Sequence, residues 1–481
     1  MNTNWISVLI LYFWLFSGFY SVKRLRNADI SPWLLFPIFF LGPLGLLLEL
    51  WKKYRETILK FFHFTAGKKK SKKDFLNLIF LDSQGNDLFA ENDNNSEIFE
   101  YVQKMIYEAV VKNCSDVFID PKEHSYLVRF RIDGMIRTYD TIPERNALPV
   151  ISMLKVVARM DIAERRRPQD GAFSIICNDL NTSFRIATVG VHGGEKITIR
   201  VIASENSKRN LSEIGLSATQ YKYVWNSLKL PSGMILMCGP TGSGKTSTLY
   251  SMLGEIDYTM KNVISIEDPI ERFVPEISQM EVNTKANITF ASLLRNSLRQ
   301  NPDVICLGEI RDEETAEIAS HAAQTGHLII ATLHSNDCIG TIVRLTDLGV
   351  PLRSIAASLH LIVSQRLVRN LCEHCKKKAE LTPPQIEFCN QCGIPLDSVY
   401  SAVGCPQCDH TGYSGRRAVF ETMVMTQELR ALMESPECSI TAIQEYLDQV
   451  QGANTIFSIT GNMVIRGIIS LDEFERVNVM F

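Results

Sequence analysis

Hydrophobic and polar positions follow different patterns in three successive parts of the chain. Two long uncharged stretches, at 5–20 and 31–48, come first. From residue 98 the spacing predicts an α+β domain with helices at 98–111 and 150–160 and strands at 126–132, 182–189 and 195–202. Beyond residue 230, apolar runs separated by helical stretches predict a parallel sheet with strands at 234–238, 262–266, 303–307 and 327–333. The predicted fold class is therefore α/β, preceded by an α+β domain.

The two uncharged stretches contain sixteen and eighteen residues, close to the ~17–25 residues with which a helix spans a bilayer. Four tryptophans, most of them near the ends of these stretches, suit the membrane interface: Trp5, Trp14, Trp33 and Trp51. We predict a membrane hairpin within residues 1–60. A re-entrant second segment is an open alternative, because Pro37, Gly42 and Pro43 interrupt it. A signal peptide is disfavoured, since no basic residue precedes the first stretch.

Positive charge follows the second segment. Residues 52–73 contain nine lysines and arginines against Glu56 alone, whereas the loop between the segments has three basic residues against Asp29. The positive-inside rule therefore places the larger cluster, and the domains that follow it, in the cytoplasm. Residues 61–97 are predicted to be a charged linker, which either lies on anionic lipid or is a solvated tether.

Composition narrows the classes of function. A chain of 481 residues holds roughly three or four domains of ~100–200 residues. The formal net charge of −3 and the lack of a basic stripe near the predicted core disfavour nucleic-acid binding, so no nucleic-acid partner is expected. The twelve cysteines are scattered or in C-x-x-C pairs, which in a reducing cytosol indicates metal binding rather than disulfides.

A phosphate-binding loop begins directly after the predicted strand 234–238. Its residues match G-x-x-x-x-G-K-[ST] at every fixed position: Gly239, Pro240, Thr241, Gly242, Ser243, Gly244, Lys245 and Thr246. A predicted helix follows from Ser247, and strand, glycine loop and helix together form the expected context. Lys245 would reach the β- and γ-phosphates of a nucleoside triphosphate, and the Thr246 hydroxyl would hold Mg²⁺.

Three further polar residues follow later apolar strands. Glu267 ends the run at 262–266, Glu309 follows 303–307, and His334 follows 327–333. Ligands of parallel sheets lie beyond the carboxyl ends of the strands. We therefore expect these three side chains at the edge that holds the phosphate loop, as candidate catalytic residues.

Together these motifs resemble the secretion ATPases of type II secretion systems and type IV pilus assembly (the GspE/PulE/PilB group), over about residues 98–481. The matching motifs are the Walker A loop, an Asp box at 266–271, a Walker B signature at 298–312 and a His box at 325–337. Cys306 stands where an aliphatic residue is usual. Phe118 stands where histidine is common, and we expect it to affect the surface of its domain rather than hydrolysis.

The resemblance implies a RecA-like ATPase domain at 206–481 and a PAS-like α+β domain at 98–205. It implies that Glu267 activates the attacking water and that Glu309 acts on Mg²⁺ through water. By motif position, Arg185 and Arg200 would neutralise charge on the leaving phosphate. It also implies a homo-hexamer with ATP between the two domains, acting with a platform protein of the inner membrane.

Two C-x-x-C pairs, Cys372/Cys375 and Cys405/Cys408, are separated by twenty-nine residues. Two such knuckles form a tetrahedral Cys₄ zinc site, and the family has a similar zinc-binding insertion, which we place at 370–412. A third pair, Cys389/Cys392, lies between them. Pairing of the first knuckle with this middle pair, and no metal at all, are the open alternatives.

The predicted function is a membrane-anchored hexameric ATPase that drives assembly of a type IV pilus or a type II secretion pseudopilus. A pilus retraction ATPase is the alternative within the class, disfavoured because such motors typically lack the Cys₄ insertion. An ATP-binding membrane scaffold without turnover is a different class, disfavoured by Lys245, Glu267 and Glu309 together. A DNA-translocating ATPase is disfavoured by the charge.

Overall fold

A computed structural model describes residues 78–81, 86–89, 97–177, 180–202, 210–451 and 454–478. The predicted membrane hairpin and most of the predicted linker lie outside these ranges. Within the described ranges, no helix combines the length and the apolar character needed to cross a membrane.

The first part of the described chain forms a seven-stranded antiparallel sheet in the order β1-β5-β6-β7-β2-β3-β4. Two helices, α1 (Glu97–Val111) and α2 (Glu144–Val157), pack against each other and on the sheet. The strands are β1 (Ile79–Leu81), β2 (Cys114–Pro121), β3 (Ser125–Ile132), β4 (Met135–Pro143), β5 (Gln169–Cys177), β6 (Leu180–Val191) and β7 (Gly194–Ile202).

The sequence pattern explains this half of the fold. On β3, Tyr126, Val128 and Phe130 are buried and alternate with more exposed residues, as expected of a strand with one face on a core. The helix predicted at 98–111 and the strands predicted at 126–132, 182–189 and 195–202 are present within one to two residues at most ends.

Two elements differ from the sequence-based prediction. The helix predicted at 150–160 begins at Glu144, after Pro143 (φ −64°), and ends before Arg159, whose left-handed φ of 54° ends the helical path. Strand β1 lies inside the predicted linker 61–97. It pairs with β5 because Phe80 is buried, with its ring centroid 6.1 Å from that of Phe173.

The second sheet has the order β10-β9-β11-β12-β8-β13-β16. Its first six strands are parallel and β16 is antiparallel to β13, which confirms the predicted α/β fold. The strands are β8 (Gly233–Cys238), β9 (Val263–Glu267), β10 (Ser278–Glu281), β11 (Val304–Leu307), β12 (Leu328–Leu333), β13 (Leu359–Leu371) and β16 (Tyr413–Val424).

Helices cover both faces of this sheet. Its central strands are therefore buried throughout. Helices α3 (Ala218–Leu228) and α4 (Lys245–Leu253) pack into the core on one face. The core on the other face is formed with α5 (Phe290–Ser297), α6 (Glu313–Gln324), α7 (Cys338–Asp347), α8 (Leu352–Ser358), α10 (Gln427–Glu434) and α11 (Ile440–Gln451).

A smaller apolar core includes Val368 of β13 and Val419 of β16. It contains Cys389, Ile394 and Val399 from the segment between these strands, packed with Phe474 near the end of the described chain. The elements here are β14 (Lys377–Lys378), α9 (Pro383–Gln391), β15 (Tyr400–Ser401), α12 (Ile456–Ile465) and α13 (Leu471–Asn478).

Candidate active site

The phosphate-binding loop connects β8 to α4. Gly239, Gly242 and Gly244 have φ values of 148°, 77° and 91°, a region that favours glycine. A Cβ on Gly239 would lie 2.4 Å from the carbonyl oxygen of Gln365, so no side chain fits there. Helix α4 begins at Lys245, directly after the glycines of the loop. The unpaired N–H groups of a helix N-terminus attract phosphate.

Lys245 is buried and lies against this loop. Its Nζ donates to the carbonyl oxygens of Gly239, at 2.7 Å, and Pro240, at 3.2 Å. Burial lowers the pKa of Lys245, and the nearby carboxylate of Glu309 opposes that shift. The hydroxyl of Ser243 is buried without a hydrogen-bond partner among the described residues, so the loop retains a donor for a phosphate oxygen.

Glu267 ends β9 and is only 4% exposed. One carboxylate oxygen accepts hydrogen bonds from Ser265 Oγ, at 2.7 Å, and Gln279 Nε2, at 3.0 Å, and the other accepts one from the Tyr250 hydroxyl at 2.5 Å. Burial and the bond to Glu267 raise the pKa of Tyr250 above its usual value, so the phenol stays protonated as a donor. Three donors thus orient this carboxylate.

Glu309 and His334 are in contact at the same edge of the sheet. His334 Nε2 lies 3.3 Å from one oxygen of Glu309, and Arg311 Nε donates to the other at 2.8 Å. Arg311 also donates to Asp268 at 3.0 Å. Burial first, and then the charge of Lys245, lower the pKa of His334, so its imidazole favours the neutral form at pH 7.

These residues line one cleft of about 990 Å³ between the two sheets. Residues 241–247 of the phosphate-binding loop and helix α4 line it, together with Glu267, Glu309 and His334. The structure therefore brings together the loop, including Thr246 and Ser247, and the three strand-end residues that the sequence predicted at this edge. The first sheet contributes the opposite wall, with Asp116, Phe118, Arg131 and Arg200.

The two arginines singled out from the sequence occupy different positions. Arg200 lines the cleft and is 71% exposed, with its Nε 3.4 Å from Asp116 Oδ1. Arg185 donates to the carbonyl oxygen of Ile270, at 3.3 Å, in the loop that follows Glu267. Both lie close enough to Glu271 to lower the pKa of its carboxyl, although partial desolvation of this group in the cleft and the charge of Glu267 raise it overall.

Phe118 also lines the cleft, with the guanidinium of Arg131 at 5.3 Å from its ring centroid. Phe118 therefore lies on the surface of its domain that faces the cleft, and its expected lack of effect on hydrolysis stays a prediction. Strand β2 turns this side chain toward the second sheet, a placement that depends on how the domains face each other.

Several residues that line the cleft or contact its side chains were not predicted from the sequence. Tyr250 lies on α4 one turn beyond the phosphate-binding loop, a spacing that could have identified it as a neighbour of the site. Three arginines on the wall beside β13 carry no recognisable spacing: Arg369, Arg416 and Arg476.

The four outer cysteines form a second site, on the segment between β13 and β16. The Sγ atoms of Cys372, Cys375, Cys405 and Cys408 all lie within 4.8 Å of one another. Backbone N–H groups of Cys405 and Gly412 donate to Cys408 Sγ, each at 3.2 Å. Such a set of thiols suits a tetrahedral zinc ion.

The middle cysteine pair lies apart from this cluster. Cys389 is fully buried in the smaller apolar core, and Cys392 packs against that core. Neither of these two thiols belongs to the group of four Sγ atoms that lie within 4.8 Å of one another. The geometry therefore favours the outer two pairs over a pairing that uses the middle one.

Comparisons with known proteins agree with this architecture. A family model described as "Type II/IV secretion system protein" matches residues 91–476. A putative type II secretion system protein E of Escherichia coli K12 is 37% identical over 392 residues, covering 82% of this chain and 79% of that protein. The type IV pilus assembly ATPase PilB of Pseudomonas aeruginosa is 39% identical over 397 residues, covering 81% and 69%.

Solved structures show the same fold. The Legionella pneumophila ATPase DotB has a TM-score of 0.58 at 21% identity, covering 79% of this chain and 96% of that one. The pilus retraction motor PilT with bound ADP has a TM-score of 0.54 at 26% identity, covering 78% and 96%. With its cleft, its phosphate-binding loop and these relatives, the chain belongs to the type II/IV secretion system protein family and is a P-loop ATPase.

Proposed function

We propose that this chain is a motor ATPase that couples ATP hydrolysis to assembly of a type IV pilus or a type II secretion pseudopilus at the inner membrane. The observation that carries the proposal is the cleft in which the phosphate-binding loop meets a buried, three-fold hydrogen-bonded Glu267. Relatives at 36–39% identity are named as type II secretion proteins E and as a type IV pilus assembly ATPase, which supports this process.

The side chains of the cleft support a division of roles in hydrolysis. The phosphate-binding loop and Lys245 would bind the β- and γ-phosphates. Mg²⁺, when bound, neutralises phosphate charge; Thr246 would hold it, and Glu309 would act on it through water. Glu267 would orient and deprotonate the attacking water, because its carboxylate is already held in one position by three donors. His334, whose Nε2 lies beside Glu309, would hold the Glu309 carboxylate in position.

Arginines from the first sheet would act on the leaving phosphate. Arg200 faces the cleft, and Arg185 contacts the loop after Glu267. Arginines that neutralise transferring phosphoryl groups contribute as much as ~10³–10⁵ in rate. Closure of the first sheet over the nucleotide would therefore couple ATP binding to movement.

The four-cysteine cluster favours assembly over retraction within this family. Cys372, Cys375, Cys405 and Cys408 would hold a structural zinc ion that closes the segment between β13 and β16. Retraction motors typically lack such an insertion. We further propose a homo-hexamer that works on a platform protein of the inner membrane, with the RecA-like and PAS-like domains in the cytoplasm.

Purified full-length protein in detergent is expected to release phosphate from ATP in a saturable, Mg²⁺-dependent reaction. A coupled phosphate assay measures the rate, and a fluorescent ATP analogue measures binding separately. Binding without release would contradict the motor and support the alternative of an ATP-binding scaffold.

The membrane hairpin proposed for residues 1–60 has its own test. With Asn27→Cys, the loop between the two segments is expected to react with a membrane-impermeant maleimide in intact cells, because a hairpin places that loop in the periplasm. The native cysteines all follow residue 113, so the cytoplasmic domains provide the unlabelled control. Labelling of the variant only after lysis would contradict the hairpin and support a single span with a flat or re-entrant second segment.

A further inference from the structure

The tip of a β-hairpin from the first sheet reaches the second sheet across the cleft. Asp133 and Gly134 form the turn between β3 and β4, with φ values of 50° and 82°. This turn and Met135 line the cleft opposite the arginine wall beside β13. The hairpin is thus a point of contact between the sheet that carries Arg200 and the sheet that carries the phosphate-binding loop.

The contact at this point is an ion pair. Arg416 Nε, near the start of β16, donates to Asp133 Oδ1 at 3.1 Å, and the two side chains are 33% and 26% exposed. Arg369 Nη1 also donates to the sulfur of Met135. A pair shielded to this extent is screened less by water and salt than a fully exposed pair.

The rest of the arginine wall is held by a different carboxylate. Glu473 is fully buried, and Arg369 Nε donates to its Oε2 at 2.7 Å while Arg476 Nη2 donates to its Oε1 at 2.7 Å. Burial alone would raise the pKa of Glu473, but the bonds from Arg476 and Arg369 keep it below its usual value. Glu473 therefore pairs with arginines of its own domain. Arg416, in contrast, pairs with Asp133 of the first sheet.

A line of charged contacts runs from this ion pair to Arg200. Arg131 lies two residues before Asp133 on the same hairpin, and its Nε is 3.2 Å from Asp116 Oδ2. The other oxygen of Asp116 is 3.4 Å from Arg200 Nε. Arg131 and Arg200 line the same cleft as the phosphate-binding loop, so the contact at the hairpin tip is linked through Asp116 to both arginines.

We propose that Asp133 is a positioning residue for ATP hydrolysis, and that its ion pair with Arg416 latches the first sheet over the nucleotide cleft. The proposal rests on the proposed function, because it assumes that Arg200 acts on the phosphates. The ion pair between Asp133 and Arg416 would determine the position of Arg200 and would not itself bind phosphate. Its loss should lower kcat more than it changes the KM for ATP.

Charge reversal tests the latch in the full-length protein. Asp133→Arg and Arg416→Asp each place like charges together, and each is expected to lower kcat about 10- to 100-fold, as misplacement of a reacting group does. The double variant restores opposite charges and is expected to turn over faster than either single variant. Asp133→Asn, which keeps an oxygen acceptor, is expected to lose less than Asp133→Arg.

Glu123→Arg is the matched control, because it makes the same change of charge at the exposed β2–β3 turn, at the other end of β3. It is expected to keep wild-type turnover. Binding of a fluorescent ATP analogue and thermal unfolding show that each variant is folded.

Two results would overturn the latch: unchanged kcat in both single variants, or a double variant no faster than the faster single variant. Wild-type protein without any turnover would instead count against the proposed function. Failure of the latch and failure of the ATPase are therefore separate outcomes.

Discussion

Glu267→Gln is expected to reduce ATP turnover by about 10²–10⁴-fold, the usual contribution of a general base, while ATP binding is retained. The side chain keeps its size, but it loses the negative charge that would accept a proton from water. The phosphate-binding loop and Lys245 lie outside the change, so the nucleotide still has its binding groups. Phosphate release and fluorescent-nucleotide binding, measured on the same preparation, distinguish the two effects.

Two further variants make this result specific. Lys245→Ala is expected to lose binding as well as turnover, because it removes the cation that is buried against the phosphate-binding loop. Glu276→Gln is the matched control, since this exposed glutamate lies in the same loop region away from the cleft. Undiminished turnover in Glu267→Gln would remove this residue from the proposed role.

Purified protein is expected to contain about one zinc per chain, and Cys405→Ser is expected to lose it. Structural zinc contributes on the order of 10–16 kcal/mol to small sites, so its loss should unfold the segment at 372–412. In the structure this segment closes where Cys372 N donates to Gly412 O at 2.8 Å, beside the thiol cluster. Metal analysis measures the zinc, and limited proteolysis locates the unfolding.

Cys392→Ser is the control for this prediction, because its thiol lies beside the smaller apolar core and outside the cluster. It is expected to retain both zinc and resistance to protease. Zinc kept by Cys405→Ser but lost by Cys392→Ser would show that the first knuckle pairs with the middle cysteines instead.

Much of the fold follows from local pattern. Strands β8, β9, β11 and β12 are recognisable because both of their faces are buried, which requires continuous apolar runs. The hairpin at Asp133–Gly134 is recognisable because few residues adopt positive φ. Strand β1 was missed, since a short apolar patch between charged runs carries too little pattern, and the strand depends on burial of Phe80 against the sheet.

The candidate site divides in the same way. The sequence by itself determined the phosphate-binding loop and the placement of Glu267, Glu309 and His334 at one sheet edge, and it identified the outer cysteine knuckles as candidate metal ligands. Each of these depends on short spacing or on the rule that parallel strands end at a common edge.

Only the tertiary structure decided which groups surround them. Gln279 and Tyr250 bind Glu267 across twelve and seventeen residues of sequence, and Asp133 meets Arg416 across 283. A single acid or arginine in a polar stretch has no period that marks its partner, and most such residues are solvated. Their partners are set by the packing of whole domains, which sequence spacing does not record.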